Sequence, residues 1–311
     1  MLFSSLRSRS GSADAVDPSM TAPRKPTSPA SLLGLVRDAH LEVLPTPTIA
    51  VRCAGLPLGT TISVTCSPIK GIGATLEVAT ALADQGHVVI PHLAARMVES
   101  QNHLDEIVAR LAEHGIRNVF TIGGDAAEPA GPYPDALALM RGLVAAGAVL
   151  DRIGSAGYPD GHTSIPEAAL ARALADRQTV LGEAGIEGWI STQMCFDVAV
   201  IGRWASDLRA SGITLPIHLG VPGVVDTAKL LTLGMRIGVG ASLRYLRKNR
   251  AAVRKMATRG GFDPMEVIAP IAPMSVELGI EALHVFTFNQ VEATYGWRRD
   301  VVAELLAHHD Y

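Results

Sequence analysis

The stretch that decides the fold reads VVI at residues 88–90, LDEIVARL at residues 104–111 and NVFTI at residues 118–122. The first and third pieces are short apolar runs of strand length. The middle piece repeats its apolar residues three and four positions apart, which is the spacing of a helix with one buried face. A strand, a helix and a second strand in this order predict one βαβ unit with parallel strands.

The same unit recurs along the whole chain. Short apolar runs alternate with helical patterns eight times, at residues 41–44, 61–66, 88–90, 118–122, 152–156, 188–192, 215–219 and 282–286. Eight strand–helix repeats are typical of a closed (β/α)8 barrel, the TIM barrel. An open doubly wound sheet is the alternative, and it is disfavoured because the loop Pro45-Thr46-Pro47 after the first run has no glycine-rich nucleotide fingerprint.

The composition excludes several classes of protein. Of 311 residues, 48% are hydrophobic, and 27 Lys and Arg stand against 30 Asp and Glu, for a net charge of −3. This excludes a disordered chain and a strongly basic nucleic-acid-binding protein. No apolar run approaches the ~20 residues of a membrane span. Cys53, Cys66 and Cys195 have no ligand spacing, so we expect no disulfide framework, no structural zinc and a cytoplasmic location.

Two parts of the chain depart from the repeating pattern. Residues 1–30 are rich in serine and proline without apolar periodicity, and we predict a disordered tail followed by one catalytic barrel domain at residues 31–311. The long interval at residues 220–281 should hold more than one helix, with breaks at 234–240 and 260–262.

Reactive residues of such barrels lie at the carboxyl ends of the strands, and two acidic residues stand there. Glu42 lies inside an otherwise apolar strand, where a carboxylate is expensive to bury unless it is paired or used. Asp125 follows Gly123-Gly124, where it could act on a ligand or merely cap the next helix.

Other polar residues at strand ends have equally open interpretations. His92 and His162 could be ligands or ordinary loop histidines, and without an HExxH or paired Asp/His spacing we predict no metal site. Gln193 could line a ligand pocket. Cys195 has no recognisable base beside it, so we assign it to the core.

Eight motifs in order resemble the methylenetetrahydrofolate reductase family over roughly residues 38–300. They are Leu41-Glu42, Ser63-Val64-Thr65, Pro91-His92-Leu93, Gly124-Asp125, Tyr158-Pro159 with His162, Thr192-Gln193 with Phe196-Asp197, Gly220-Val221-Pro222, and the ending from His284 to Asn289 with Glu292 and Tyr295.

The resemblance implies reduction of 5,10-methylenetetrahydrofolate to 5-methyltetrahydrofolate by a reduced nicotinamide. It places Glu42 as the general acid that protonates N10, and we expect burial to raise its pKa for that task. It places Asp125 as the electrostatic stabiliser of the iminium cation. Gln193, Phe196 and Gln290 become substrate-binding positions, the last replacing an arginine of the family.

Two departures bear on the flavin that the family usually carries. The strand-four motif has Gly123 where flavin-dependent members have arginine, and residues 178–185 lack the lysines that meet the FAD phosphates. FAD is therefore doubtful, and the chain resembles the flavin-independent mycobacterial type with direct hydride transfer from NADH or NADPH. The implied nicotinamide-binding residues are Thr65, His92, Gly124, Tyr133, Tyr158 and His162.

Three alternatives stay open. FAD could be held by other basic residues, such as Arg96, Arg141 or Arg177. The barrel could bind folate or nucleotide without catalysis. An unrelated lyase or aldolase would need a strand-end lysine or a carboxylate/histidine metal set, and Lys70 and Lys229 lie beyond strand ends. We expect a small-molecule folate substrate, no nucleic acid and no membrane, and predict no oligomeric state.

Overall fold

The computed structural model of the chain describes residues 32–226, 229–230, 232 and 262–307. The predicted tail at residues 1–30 lies outside the described residues. The predicted breaks at 234–240 and 260–262 do so too, apart from Phe262.

Eight parallel strands form one closed barrel in which β8 pairs with β1. The predicted (β/α)8 barrel is confirmed, and the open doubly wound sheet is wrong because a closed sheet has no edge strand. The strands are β1 His40–Val43, β2 Thr61–Val64, β3 Val88–Ala94, β4 Asn118–Ile122, β5 Arg152–Gly157, β6 Glu187–Thr192, β7 Ile217–Pro222 and β8 Ile280–Phe286.

Helices between the strands surround the barrel. In the described residues they are α1 Leu32–Arg37, α2 Ile49–Cys53, α3 Gly71–Asp84, α4 Gln101–Glu113, α5 Ala136–Ala145, α6 Glu167–Ala184, α7 Val198–Ala210, α8 Met265–Ile271, α9 Ser275–Leu278 and α10 Val291–Ala307. Several begin at a side-chain cap: Ser100, Asp135 and Asp197 accept hydrogen bonds from the first turns of α4, α5 and α7. The helices α8 and α9 lie before β8, as the long interval predicted.

Strand β3 is longer than its predicted apolar run. It continues through Pro91 to Ala94, and Pro91 pairs in register with Val64 of β2. Proline is compatible with extended backbone, although it removes one ladder donor. His92 therefore lies within a strand and not in a loop. Strand β7 likewise extends beyond its predicted run at residues 215–219 and includes Gly220 to Pro222.

The two faces of each strand have different surroundings. The outward face carries Leu41, Ile62 and Leu93, which pack in the main core between the strands and the helices. The interior holds a smaller apolar cluster of Ile90, Phe120 and Trp189. Polar side chains also lie inside the barrel, and these position the site. None of the helices in the described part of the chain is both long and apolar enough to cross a membrane.

Candidate active site

The backbone of Glu42 is fixed by the end of strand β8. The amide and the hydroxyl of Thr287 both donate to the Glu42 carbonyl, at 3.2 Å and 2.6 Å. Leu41 and Val43 are buried on the opposite face of β1, so strand alternation directs Glu42 away from the helices. The Glu42 side chain keeps 15% of its surface exposed. Local backbone and core contacts thus hold one carboxylate at a fixed place in the barrel.

Two buried histidines surround this carboxylate. Glu42 Oε2 lies 2.8 Å from His284 Nε2 and 3.9 Å from His92 Nε2. The two imidazole rings stack with their centres 6.2 Å apart. We call Glu42, His92 and His284 the interior triad. Its members come from β1, β3 and β8, respectively. The family resemblance had assigned a role to Glu42 and His92 but not to His284.

The protonation of the triad differs from the sequence-based expectation. Burial alone would raise the pKa of Glu42, but the hydrogen bond and charge of His284, with His92 beyond, outweigh burial and hold that pKa below its usual value. The expected raised pKa is therefore wrong for the free protein. Burial lowers the pKa of His92 to about 4, so its imidazole is neutral near pH 7. Glu42 is accordingly a carboxylate that accepts a hydrogen bond from His284.

The loop after β8 is held in a strained conformation that ties it to β1. Phe288 and Asn289 have positive φ angles of 48° and 60°, a region that residues other than glycine rarely adopt. Asn289 offsets this strain through its side chain: Oδ1 accepts from the Leu44 amide at 2.7 Å, and Nδ2 donates to the Leu44 carbonyl at 3.2 Å. The loops that follow β1 and β8 are therefore locked together beside Glu42.

A second pair of histidines lies deeper in the barrel. His40 and His218 meet edge to face at 4.7 Å, and Trp189 stacks on His218 at 5.5 Å. Burial lowers the pKa of His40 to about 3 and lowers the pKa of His218 as well. Both rings are therefore neutral and act as packing groups below the interior triad.

A groove of about 1190 Å³ opens beside the barrel mouth, between the ends of β4 and β5 and the helices α6 and α7. Its lining includes Asp125, Tyr158, His162 and Arg177. Tyr158 and His162 meet edge to face at 4.9 Å. Gly124 turns the chain into the groove at φ +88°, and a side chain there would press on Ala94 at 3.2 Å, so this position needs glycine.

Four of the described arginines line the groove: Arg96, Arg172, Arg177 and Arg203. Arg177 of α6 has a buried Nε atom without a hydrogen-bond partner among the described residues. Arg96 also lines the groove, but its guanidinium donates to the carbonyls of Pro134 and Ala126, both at 2.9 Å. Arg141 is exposed on α5 and lies outside the lining. Of the three arginines that the sequence analysis named as possible FAD anchors, Arg177 both lines the groove and has a guanidinium nitrogen without a partner among the described residues.

Comparison with known proteins adds to this geometry. A family model described as methylenetetrahydrofolate reductase matches residues 58–297. The chain belongs to this family.

Two relatives carry the name of the same family. The chain is 25% identical over 242 residues to a rice (Oryza sativa subsp. japonica) protein named probable methylenetetrahydrofolate reductase (NADH), covering 71% of this chain and 39% of the relative. It is 24% identical over 247 residues to methylenetetrahydrofolate reductase 1 of Schizosaccharomyces pombe. That match covers 76% of this chain and 38% of the relative. The chain thus spans under half the length of these relatives.

A solved Clostridium thermocellum structure has a similar fold. Its TM-score is 0.60 at 12% identity, and the match covers 88% of this chain and 98% of that one. That protein is described as binding two copies of 5-methyl-5,6,7,8-tetrahydrofolic acid.

The remaining positions taken from the methylenetetrahydrofolate reductase resemblance lie in different places. Thr65 directly follows β2, and its hydroxyl is buried without a partner among the described residues. Gln193 turns its Oε1 onto the Met194 amide at 2.8 Å. Phe196 is buried edge-on against Phe262, with ring centres 5.2 Å apart. These three follow strand ends, as the family pattern predicts.

Other predicted positions are further from the groove or already bonded. Tyr133 is buried with its hydroxyl donating to Gln101 of α4 at 2.8 Å, so the structure does not bring it to the groove. Gln290 lies directly before α10, and its backbone amide donates to the Thr287 carbonyl at 2.8 Å. Cys195 is buried as predicted, although its thiol lies 2.9 Å from Asp160 Oδ1, a partner that sequence spacing did not reveal.

Proposed function

We propose that this member of the family reduces 5,10-methylenetetrahydrofolate to 5-methyltetrahydrofolate by direct hydride transfer from NADH or NADPH in one ternary complex. The observation that carries the proposal is the hydrogen-bonded Glu42–His284 pair inside the barrel, together with a groove of about 1190 Å³ that the ends of β4 and β5 line. The NADH named for the rice relative and the methyltetrahydrofolate named for the Clostridium structure support the donor and the substrate class.

The reaction needs one proton and one hydride. Protonation of N10 lets the bond between N10 and the methylene carbon break, which leaves an iminium cation at N5, and the hydride then adds to the methylene carbon. We assign the proton transfer to Glu42, with His284 as its positioning residue. Because the pKa of Glu42 is low in the free protein, Glu42 there is a carboxylate held by the hydrogen bond to His284. Folate binding removes water and raises the pKa of the Glu42 carboxyl, so that Glu42 takes up one proton from solvent and passes it to N10.

The remaining site residues bind the folate and stabilise the cation that forms from it. We propose that Asp125 stabilises the iminium cation by its charge, an effect that strengthens when bound ligands exclude water from the groove. Gln193 has its Oε1 engaged by Met194, which leaves its amide NH2 to donate to the pterin. Phe196 and Gln290 complete the proposed substrate contacts.

The groove suits a nicotinamide dinucleotide as an exchangeable co-substrate. Small-molecule sites commonly measure ~300–1000 Å³, so a groove of about 1190 Å³ accommodates a dinucleotide. We propose that Arg177 binds its diphosphate, and that Thr65, His92, Gly124, Tyr158 and His162 lie near the nicotinamide half. FAD would supply hydride transfer through its isoalloxazine ring. However, the uncharged Gly123 and the backbone-bonded Arg96 leave few anchors for a cofactor that must stay bound through turnover.

We further propose that residues 31–311 act as one catalytic domain, since the described residues from both ends of that range close a single barrel. A cytoplasmic location stays a prediction, and three cysteines that form no disulfide with one another are compatible with it: Cys53, Cys66 and Cys195.

The deciding experiment is an initial-velocity study of the full chain, purified without added flavin, with NADH and methylenetetrahydrofolate both varied. We expect no flavin absorbance band and intersecting double-reciprocal lines, as direct transfer requires. A stoichiometric flavin band with parallel lines would establish the FAD alternative. Absence of turnover with either nicotinamide would leave the non-catalytic folate-binding barrel.

A further inference from the structure

The interior triad has an unfilled bonding position. Glu42 Oε2, His92 Nε2 and His284 Nε2 all lie within 4.8 Å of one another. His92 Nε2 is buried and has no hydrogen-bond partner among the described residues, and its side chain is only 7% exposed. Buried polar nitrogens are almost always bonded, so this atom indicates a partner that neither Glu42 nor His284 supplies.

The chemistry of the three atoms favours a cation as that partner. Two imidazole nitrogens and one carboxylate oxygen form a ligand set that Zn²⁺ takes in proteins. Metal–ligand bonds of ~2.0–2.2 Å in a tetrahedral site place the ligand atoms ~3.3–3.5 Å apart. The separations of 2.8 Å and 3.9 Å from Glu42 Oε2 lie on either side of that value. Small side-chain rotations on rigid strands would therefore close the site around an ion.

The surroundings meet two further requirements of such a site. Glu42 provides a negative charge to offset a divalent cation, whereas a water molecule bonded to His92 would leave that charge paired only with His284. Glu42 also keeps 15% of its side chain exposed, so an ion can enter and a fourth ligand can reach it.

We propose that Glu42, His92 and His284 bind one divalent transition-metal ion of the zinc class, and that the bound ion inhibits the reaction. The ion coordinates His284 Nε2, whose proton moves to Nδ1, and Glu42 Oε2, so the Glu42 carboxylate no longer takes up a proton. No acid then remains to protonate N10, so the N10–methylene bond does not break. The binding part of this inference is independent of the proposed function, whereas the inhibition part rests on it.

Metal binding is tested on the full chain after EDTA treatment and buffer exchange, with Co²⁺ as a spectroscopic probe. We expect one equivalent of Co²⁺ to give visible absorption bands of a four-coordinate site, and Zn²⁺ to remove them by competition. His92→Gln should lower the affinity at least ~10-fold, the effect of losing a group that a metal site depends on. His114→Gln is the matched control, because His114 pairs with Asp84 far from the triad and should bind Co²⁺ as the unaltered chain does.

Two outcomes would overturn the proposal. One is a Co²⁺ spectrum that the unaltered chain leaves unchanged, and the other is a His92→Gln chain that binds Co²⁺ as tightly as the His114→Gln chain. Should His92→Gln lose its circular dichroism spectrum, His284→Gln serves as the second variant, with the same expected loss of Co²⁺ binding.

Inhibition is a separate measurement. Zn²⁺ should lower the steady-state rate of the unaltered chain, and EDTA should restore it. Stoichiometric Zn²⁺ binding without loss of rate would overturn the inhibitory part alone. A metal-free chain without any turnover would instead contradict the proposed function, while the Co²⁺ titration would still decide whether the site exists.

Discussion

The interior triad and the groove differ in how they use charge. In the triad, Glu42 and two histidines lie inside the barrel, and a 2.8 Å hydrogen bond determines where a proton resides. In the groove, Asp125 is exposed and Arg177 has no hydrogen-bond partner among the described residues, so both charges await a ligand. Electrostatic effects are stronger where water is excluded. The comparison indicates that the barrel interior carries the proton chemistry and the groove carries recognition.

The largest expected effect comes from the triad. Glu42→Gln keeps the shape of the side chain but removes the proton-transferring carboxyl, so kcat should fall by ~10²–10⁴. Steady-state kinetics with NADH and methylenetetrahydrofolate measure this effect. Glu292→Gln, which alters an exposed carboxylate on α10, is the control and should keep the original kcat. A Glu42→Gln chain with unaltered kcat would remove Glu42 from the mechanism.

A smaller effect is expected where the groove meets the barrel mouth. Asp125→Asn should lower kcat by ~10², at the lower end for a lost electrostatic group, because water screens an exposed carboxylate until ligands cover it. Glu128→Gln changes another exposed carboxylate in the same loop and should leave kcat unchanged. Equal kcat values for the two variants would show that Asp125 only shapes the loop.

The smallest expected effect belongs to recognition. Arg177→Met removes the uncommitted guanidinium of the groove and should raise KM for NADH about 10-fold with little change in kcat, as loss of a charge-assisted hydrogen bond of ~1.5–3 kcal/mol implies. Arg141→Met, on the exposed face of α5, is the matched control. If both variants raised KM equally, general loss of positive charge and not a specific contact would be responsible.

The barrel could be predicted from the sequence because its signal is local. Each apolar run fits one strand, and residues 118–122 were bounded correctly at both ends. Strand β3 was cut short because Pro91 looks like a break, whereas the extended backbone before and after it tolerates the missing amide.

The site could be predicted only in part, because its contacts are not local. A carboxylate within an apolar strand singles out Glu42, but its partner His284 lies 242 positions away. In the sheet, His284 pairs with His40 and not with Glu42, so only the tilt of a closed barrel brings the two side chains together. The sequence-based expectation counted burial alone, whereas His284 and His92 lower the pKa of Glu42, which is why the expected direction was wrong.

The sequence indicated the residues of the groove even less clearly than those of the interior triad. Arg177 stands in a helix of mixed polar and apolar residues, and nothing in its neighbours shows that its guanidinium is buried beside Tyr158. Tyr133 shows the reverse case: the family resemblance made it a cofactor-binding position, but its hydroxyl donates to Gln101 of α4.

The bonds from Thr287, His284 and Asn289 to the segment around Glu42 also bear on how the protein is made. Each joins residues about 240 positions apart, so during synthesis β1 leaves the ribosome long before β8 exists. Through that interval the charged Glu42 has no partner, and the first strand has an open edge exposed to other chains. Nascent barrels of this family should therefore depend on chaperones until the last strand is released.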